Sequence, residues 1–148
     1  MVDERADFVR PGLHHLALTV SDLEASIAWY EALFAISYRM EAPHSGGVGR
    51  LLTDDDWSLI IVLHRHETND GRDFTETVIG LDHAGFGFTS RAELAAFQSR
   101  LVTHGVVRTD VADRPLTQSP IADTPYGSIL VFRDPDNIQL EGFAPPGT

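Results

Sequence analysis

The chain has 148 residues, 43% of them hydrophobic, enough for one compact core or for two small modules sharing one. Eleven Lys and Arg against 22 Asp and Glu give a net charge of -11 at pH 7, which disfavours nucleic-acid and membrane-surface partners. With no cysteine, disulfides, thiolate zinc sites and thiol nucleophiles are excluded, so any metal must be held by His, Asp or Glu.

Met1 to Pro11 is charged and lacks an apolar run, so no secretory leader is expected there. No window approaches the 18 or so consecutive apolar residues of a membrane span. These features make a cytoplasmic protein the expectation. The first element is a strand in Gly12 to Ser21, with Leu16, Leu18 and Val20 on one face and His15, Ala17 and Thr19 on the other. Ser21 and Glu24 form a capping-box pattern ahead of a helix whose stripe is Ile27, Tyr30 and Phe34. Three strand-like runs follow, at Ser37 to Glu41, Val48 to Thr53 and Trp57 to His64, with the Asp54-Asp55-Asp56 turn before the last. Gly46-Gly47-Val48-Gly49 lacks the Lys-Ser/Thr of a phosphate loop and reads as a flexible approach to the third strand.

The pattern then begins again. After a polar linker at 67–79, Gly80-Leu81-Asp82-His83 lies over Gly12-Leu13-His14-His15 at an offset of 68. Ala84, Phe86 and Phe88 make the helix side of this strand, and His83, Gly85 and Gly87 the opposite side. Ser90 and Glu93 cap a second helix, with Leu94, Phe97 and Leu101 as its stripe and Gly105 as its stop. Strand-like runs follow at Val106 to Thr109, Ser128 to Arg133 and Ile138 to Phe143. About 11 extra residues fall in the Pro115 to Tyr126 loop. The chain therefore divides into two tandem βαβββ modules, at 12–66 and 80–143, in an α+β fold with a cupped mixed sheet.

Strand parity points to a ligand site. A face of histidine followed by small residues, repeated in both modules, leaves room on a concave sheet, and strand glycines mark places of close approach. In the final strand, Gln139 and Glu141 share one face. A carboxylate on a buried strand is costly unless paired or coordinated. Two neutral imidazoles, His15 and His83, with Glu141 suit a divalent metal and leave positions open for substrate. The ordinary alternatives are buried hydrogen-bonded histidines and an edge-strand glutamate facing water.

These residues resemble the vicinal oxygen chelate superfamily, which includes glyoxalase I, extradiol dioxygenases, and fosfomycin and bleomycin resistance proteins. The resemblance rests on His15-Leu-Ala-Leu-Thr-Val-Ser-Asp-Leu-Glu, Trp29-Tyr30-Glu31-Ala32-Leu33-Phe34, Gly80-Leu-Asp-His83, and Phe132-Arg133-Asp134-Pro135-Asp136-Asn137 running into Ile138-Gln139-Leu140-Glu141. It implies metal ligands from the first and last strands of each module, here His15, His83 and Glu141. The fourth position falls on Val62, which cannot ligate, so the four-ligand glyoxalase pattern is broken. The remaining set resembles a two-His-one-carboxylate triad.

The resemblance further implies a divalent metal (Fe, Zn, Ni, Mn or Co) and a small-molecule substrate that chelates it through vicinal oxygens. A homodimer is expected, side by side or with swapped modules. His64, two residues beyond Val62 on the same face, is a candidate acid, base or substitute ligand, and Tyr126 a candidate hydroxyl donor that closes over a ligand. His14, His44 and His104 are expected to be structural or solvated, and Arg133 with Asp134 a turn ion pair. The competing function is a non-catalytic drug-binding or resistance protein of the same fold.

Overall fold

The computed structural model describes residues 9–109 and 117–148. The first eight residues of the N-terminal segment and the start of the Pro115 to Tyr126 loop therefore lie outside the described residues. The first half contains β1 (Leu16–Thr19), α1 (Leu23–Phe34), β2 (Ser37–Glu41), β3 (Gly47–Thr53) and β4 (Ile60–His66). The second contains β5 (Ala84–Gly87), α2 (Arg91–Thr103), β6 (Ala122–Thr124), β7 (Gly127–Arg133) and β8 (Gln139–Ala144). Each half folds into a four-stranded mixed sheet, in the orders β1-β4-β3-β2 and β5-β8-β7-β6. The first strand of each half runs parallel to its last, Leu16 beside Ile61 and Ala84 beside Leu140, so the two residues hold equivalent positions. This is the tandem βαβββ fold that the repeat predicts.

Local chemistry sets the element ends. Helix α1 buries Leu23, Ser26, Ile27, Tyr30 and Leu33, one stripe at three-to-four spacing. Its N-cap is Asp22, whose carboxylate accepts from the Ala25 N–H at 3.0 Å. Ser21, the expected cap, instead gives its N–H and hydroxyl to Asp136 of the other module. Helix α2 starts as expected: Ser90 accepts from the Glu93 N–H, and Glu93 accepts from the Thr89 N–H. It ends in a left-handed turn at Gly105, φ 79°, where Gly105 N–H donates to Val102 and Val106 N–H to Leu101. That closure takes the Val106 N–H, and the run Val106 to Thr109 is not a strand. The fourth strand of the second sheet is β6, contributed by the loop read as an insertion.

The helix-side faces of both sheets share one core. Phe34 of α1 meets Phe86 of β5 at a centroid distance of 4.7 Å and Phe97 of α2 at 5.8 Å. Trp29 stacks on Phe132 of β7. Aromatic side chains carry large apolar area, so these contacts join the modules tightly. Inside the same core, the fully buried Tyr30 donates its hydroxyl to Asp134 at 2.8 Å. Burial pushes the Asp134 carboxyl up to about 6, against hydrogen bonds from the Ile138 N–H and Tyr30 that pull it down. Asp134 therefore serves the module interface rather than a turn ion pair. Arg133 pairs with Glu76 of the linker, at 2.8 Å. With the core so placed, the opposite face of each sheet points away from it.

Candidate functional site

On the outer face of the second sheet, β5 lies beside β8, with Gly85 paired to Glu141 and Gly87 to Phe143. A side chain added at Gly85 or Gly87 meets nothing within 4 Å, so the face above Glu141 is open. His83 sits just ahead of β5. Its Nε2 lies 3.6 Å from Glu141 Oε2, and its Nδ1 lies 2.6 Å from Asp82 Oδ1. An ionised carboxylate only accepts, so Nδ1 carries a proton, and the neutral imidazole then presents its Nε2 lone pair towards Glu141. The 3.6 Å separation is below the roughly 4.0–4.4 Å that spans two metal–ligand bonds, so a single ion can bond both donors. A neutral imidazole and a carboxylate form the donor set that a borderline divalent cation takes.

His15 precedes β1 as His83 precedes β5. Both line one cavity of about 370 Å³ at the seam between the two sheets, with Leu16, Leu59, Leu81 and Phe86 as apolar walls. His14, expected to be uninvolved, lines the same cavity, and its Nδ1 lies 3.0 Å from that of His15. Within one chain, no three His, Asp or Glu side chains are gathered as a metal-holding group among the described residues. The structure thus joins His83 to Glu141, and places His15 on one cavity with His83 without gathering all three into a metal-holding group.

The outer face of the first sheet carries a different group. Ala17 pairs with Val62 and Thr19 with His64. Val62 is buried and holds beside Ala17 the position that Glu141 holds beside Gly85. His64 forms a cluster with His44 and His66: His44 lies 4.9 Å from each of the other two rings. They flank a second cavity of about 290 Å³ floored by Ala17 and Thr19. The glycines of β3 make this possible. A Cβ on Gly47 would stand 2.5 Å from His44 Cε1, and one on Gly49 2.6 Å from His64 Cε1. His44, expected as a loop residue, reaches the sheet because it bridges to Gly47.

His44 Nδ1 lies 3.1 Å from the Ser45 carbonyl, leaving a buried Nε2 with no hydrogen-bond partner. Burial lowers the His64 pKa below its ordinary value, and the neighbouring imidazoles of His44, His66 and His15 lower it further. His64 is therefore neutral at pH 7 and able to accept a proton. Tyr126 is exposed on the turn between β6 and β7 and lines neither cavity.

A fold of two βαβββ modules, with a histidine ahead of each first strand and a glutamate on the last, defines a class. The chain belongs to the Glyoxalase/Bleomycin resistance protein/Dioxygenase superfamily, whose model matches residues 12–141. Among solved structures it is similar to a glyoxylase/bleomycin resistance protein/dioxygenase domain from Frankia sp. EAN1pec. Identity there is 29%, over 94% of this chain and 95% of that one, with a TM-score of 0.80. It shares the fold of the fosfomycin resistance protein FosX from Listeria monocytogenes, at 20% identity over 95% and 96% of the chains and a TM-score of 0.64. A glutamate-to-glutamine variant of that FosX was solved with Mn(II) and 1S,2S-dihydroxypropylphosphonic acid; it matches at 20% identity over 92% and 93% of the chains, TM-score 0.59. No curated protein matches the chain.

Proposed function

We propose that the protein is a divalent-metal-dependent, glyoxalase/dioxygenase-like enzyme acting on a small molecule that chelates the metal through vicinal oxygens. The observation that carries this reading is the His83–Glu141 pair, with the imidazole lone pair turned to the carboxylate by Asp82. His15 is the third ligand. Because a single chain does not gather all three, we assign the complete site to a homodimer in which one subunit supplies His15 and the other His83 and Glu141. The open outer face of the second sheet is a surface such a partner would cover. The FosX complex, with its Mn(II) and its vicinal diol, supports a metal and two substrate oxygens in this fold.

The metal would act as a Lewis acid on the chelating oxygens. The chain's own groups supply the rest. The apolar cavity walls exclude water around the substrate. His64, kept neutral, accepts a proton from substrate.

Elemental analysis of protein purified without chelator tests the metal, and sedimentation tests the dimer. About one divalent ion per chain, in a species twice the 16.3 kDa chain mass, is the expected result. A metal-free dimer that still binds small aromatic drugs would favour the sequestering reading. The specific observation on that side is the lack of a three-donor cluster within one chain among the described residues.

A further inference from the structure

We infer that Asp82 is a positioning residue for His83, and that a chain of side chains from the inter-module linker holds Asp82 in place. This inference rests on the proposed metal reading. Asp82 Oδ1 accepts from His83 Nδ1 at 2.6 Å and from Gln139 Nε2 at 3.3 Å. Gln139 Oε1 accepts from the Arg133 guanidinium at 3.0 Å. Arg133 forks onto both oxygens of Glu76, at 2.8 and 3.1 Å, and also donates to the Asn137 carbonyl. Glu76 lies in the linker, and its carboxyl is held at about 2, with the Arg133 hydrogen bond as the largest cause.

The anchor of this chain is better shielded than its tip. The Arg133 side chain is 12% exposed and the Asp82 side chain 69% exposed. A carboxylate that exposed has no burial to fix its rotamer, so its hydrogen bonds must do so. Gln139 supplies the second of these bonds. Its amide is orientated by Arg133, which can only donate, so the Gln139 oxygen faces Arg133 and its NH₂ faces Asp82. Each contact thus has one possible donor: Arg133 gives to Glu76 and to the Gln139 oxygen, and Asp82 accepts from the Gln139 amide on one side and from the His83 Nδ1–H on the other. The consequence is a single imidazole tautomer, with the Nε2 lone pair on the Glu141 side before any ligand arrives. Gln139 and Glu141 are two residues apart on one face of β8, so the ligand and the brace of its partner belong to the same strand.

The test uses the full-length protein, with Co²⁺ alone as probe, followed by calorimetry and by the visible absorption of the bound ion. The variants are Asp82→Ala, Asp82→Asn and His83→Ala. His83→Ala should abolish the signal. Asp82→Ala should weaken Co²⁺ binding by about 10–100-fold, and Asp82→Asn less, because its amide oxygen still accepts. The tautomer of His83, read from imidazole ¹⁵N shifts in the metal-free protein, should be Nδ1–H in the wild type and mixed in Asp82→Ala. Wild-type protein that fails to bind Co²⁺ would defeat the metal reading and the inference with it. If the wild type binds and Asp82→Ala binds equally well, or with an unchanged tautomer, the metal reading stands and the positioning role is overturned.

Discussion

The two modules share a topology and divide the chemistry. The outer face of the second sheet is stripped of side chains at Gly85 and Gly87, and beside them runs a braced series, Glu76, Arg133, Gln139, Asp82 and His83, with Glu141 opposite. Among the described residues, the histidines on the outer face of the first sheet have no such brace. Val62 occupies its ligand position, and its glycines seat histidine rings instead of leaving space. The first module carries a group whose proton can move: burial, and then the neighbouring imidazoles, lower the pKa of His64.

The largest expected effect lies on the braced side. Glu141→Gln removes the only anionic ligand of the proposed set. Metal affinity should fall by more than the roughly 10–100-fold that loss of an outer hydrogen-bond partner costs. The same change at the equivalent position of the first module, Val62→Gln, should leave affinity within a few-fold, since no ligand is removed there. Equal losses from the two variants, measured by competition against a chelating dye, would erase the asymmetry between the modules.

The seam between the modules makes the next prediction. The folded-state carboxyl of Asp134 is raised to about 6 from 3.8, so the protonated form is favoured in the native protein. Its contribution to stability is fully present below about pH 4 and is lost as pH rises through about 6. The shift corresponds to a span on the order of 3 kcal/mol. Asp134→Asn should flatten this part of the stability profile, as followed by urea denaturation between pH 4 and 7. A profile as steep in the variant as in the wild type would remove Asp134 from the account. Tyr30→Phe should cost about 1–3 kcal/mol, because Asp134 loses a buried donor.

Glycine substitutions sharpen the comparison directly. A Cβ at Gly49 would stand 2.6 Å from His64 Cε1 and 2.7 Å from the Ala42 carbonyl, and the carbonyl belongs to paired backbone that cannot yield cheaply. Gly49→Ala should destabilise by about 1–3 kcal/mol. Gly85→Ala, with nothing within 4 Å, should stay within about 0.5 kcal/mol. Thermal melts of the two variants suffice, and similar losses in both would mean that the second face is not open.

Much of this arrangement is legible in the chain itself. Strand parity puts His15 and His83 at equivalent positions of the two first strands, on the face away from the helices, and Glu141 with Gln139 on one face of the last, because a period of two is preserved wherever pairing is regular. The breaks in legibility occur where a tertiary partner outbids a local one. Ser21 has the form of a cap but is taken by Asp136, and Asp22 caps in its place. Val106 to Thr109 has strand composition, yet its first N–H closes α2. His44 reads as a loop residue because nothing local shows that it folds back over Gly47. Asp82 is hidden by adjacency: a residue next to a ligand in sequence normally points the other way, and only its long-range bond to Gln139 reveals its role.

The smallest expected effect probes the first module's histidines. Burial is the main cause of the lowered His64 pKa, and the imidazoles of His44 and His66 come next. Replacing both with Asn keeps polar side chains of modest size and removes two sources of repulsion. The His64 pKa should then rise towards its ordinary value without reaching it, because the burial remains. His64 bound to fewer protons in the native state stabilises the fold above the unfolded pKa, and that contribution is lost as pH falls through the folded one. The double variant should therefore lose less stability on acidification than the wild type. If His64 accepts a proton in turnover, the acid limb of the rate profile should move to higher pH by the same amount as its NMR titration. A titration that moves while the rate profile stays fixed would separate the histidine cluster from the chemistry.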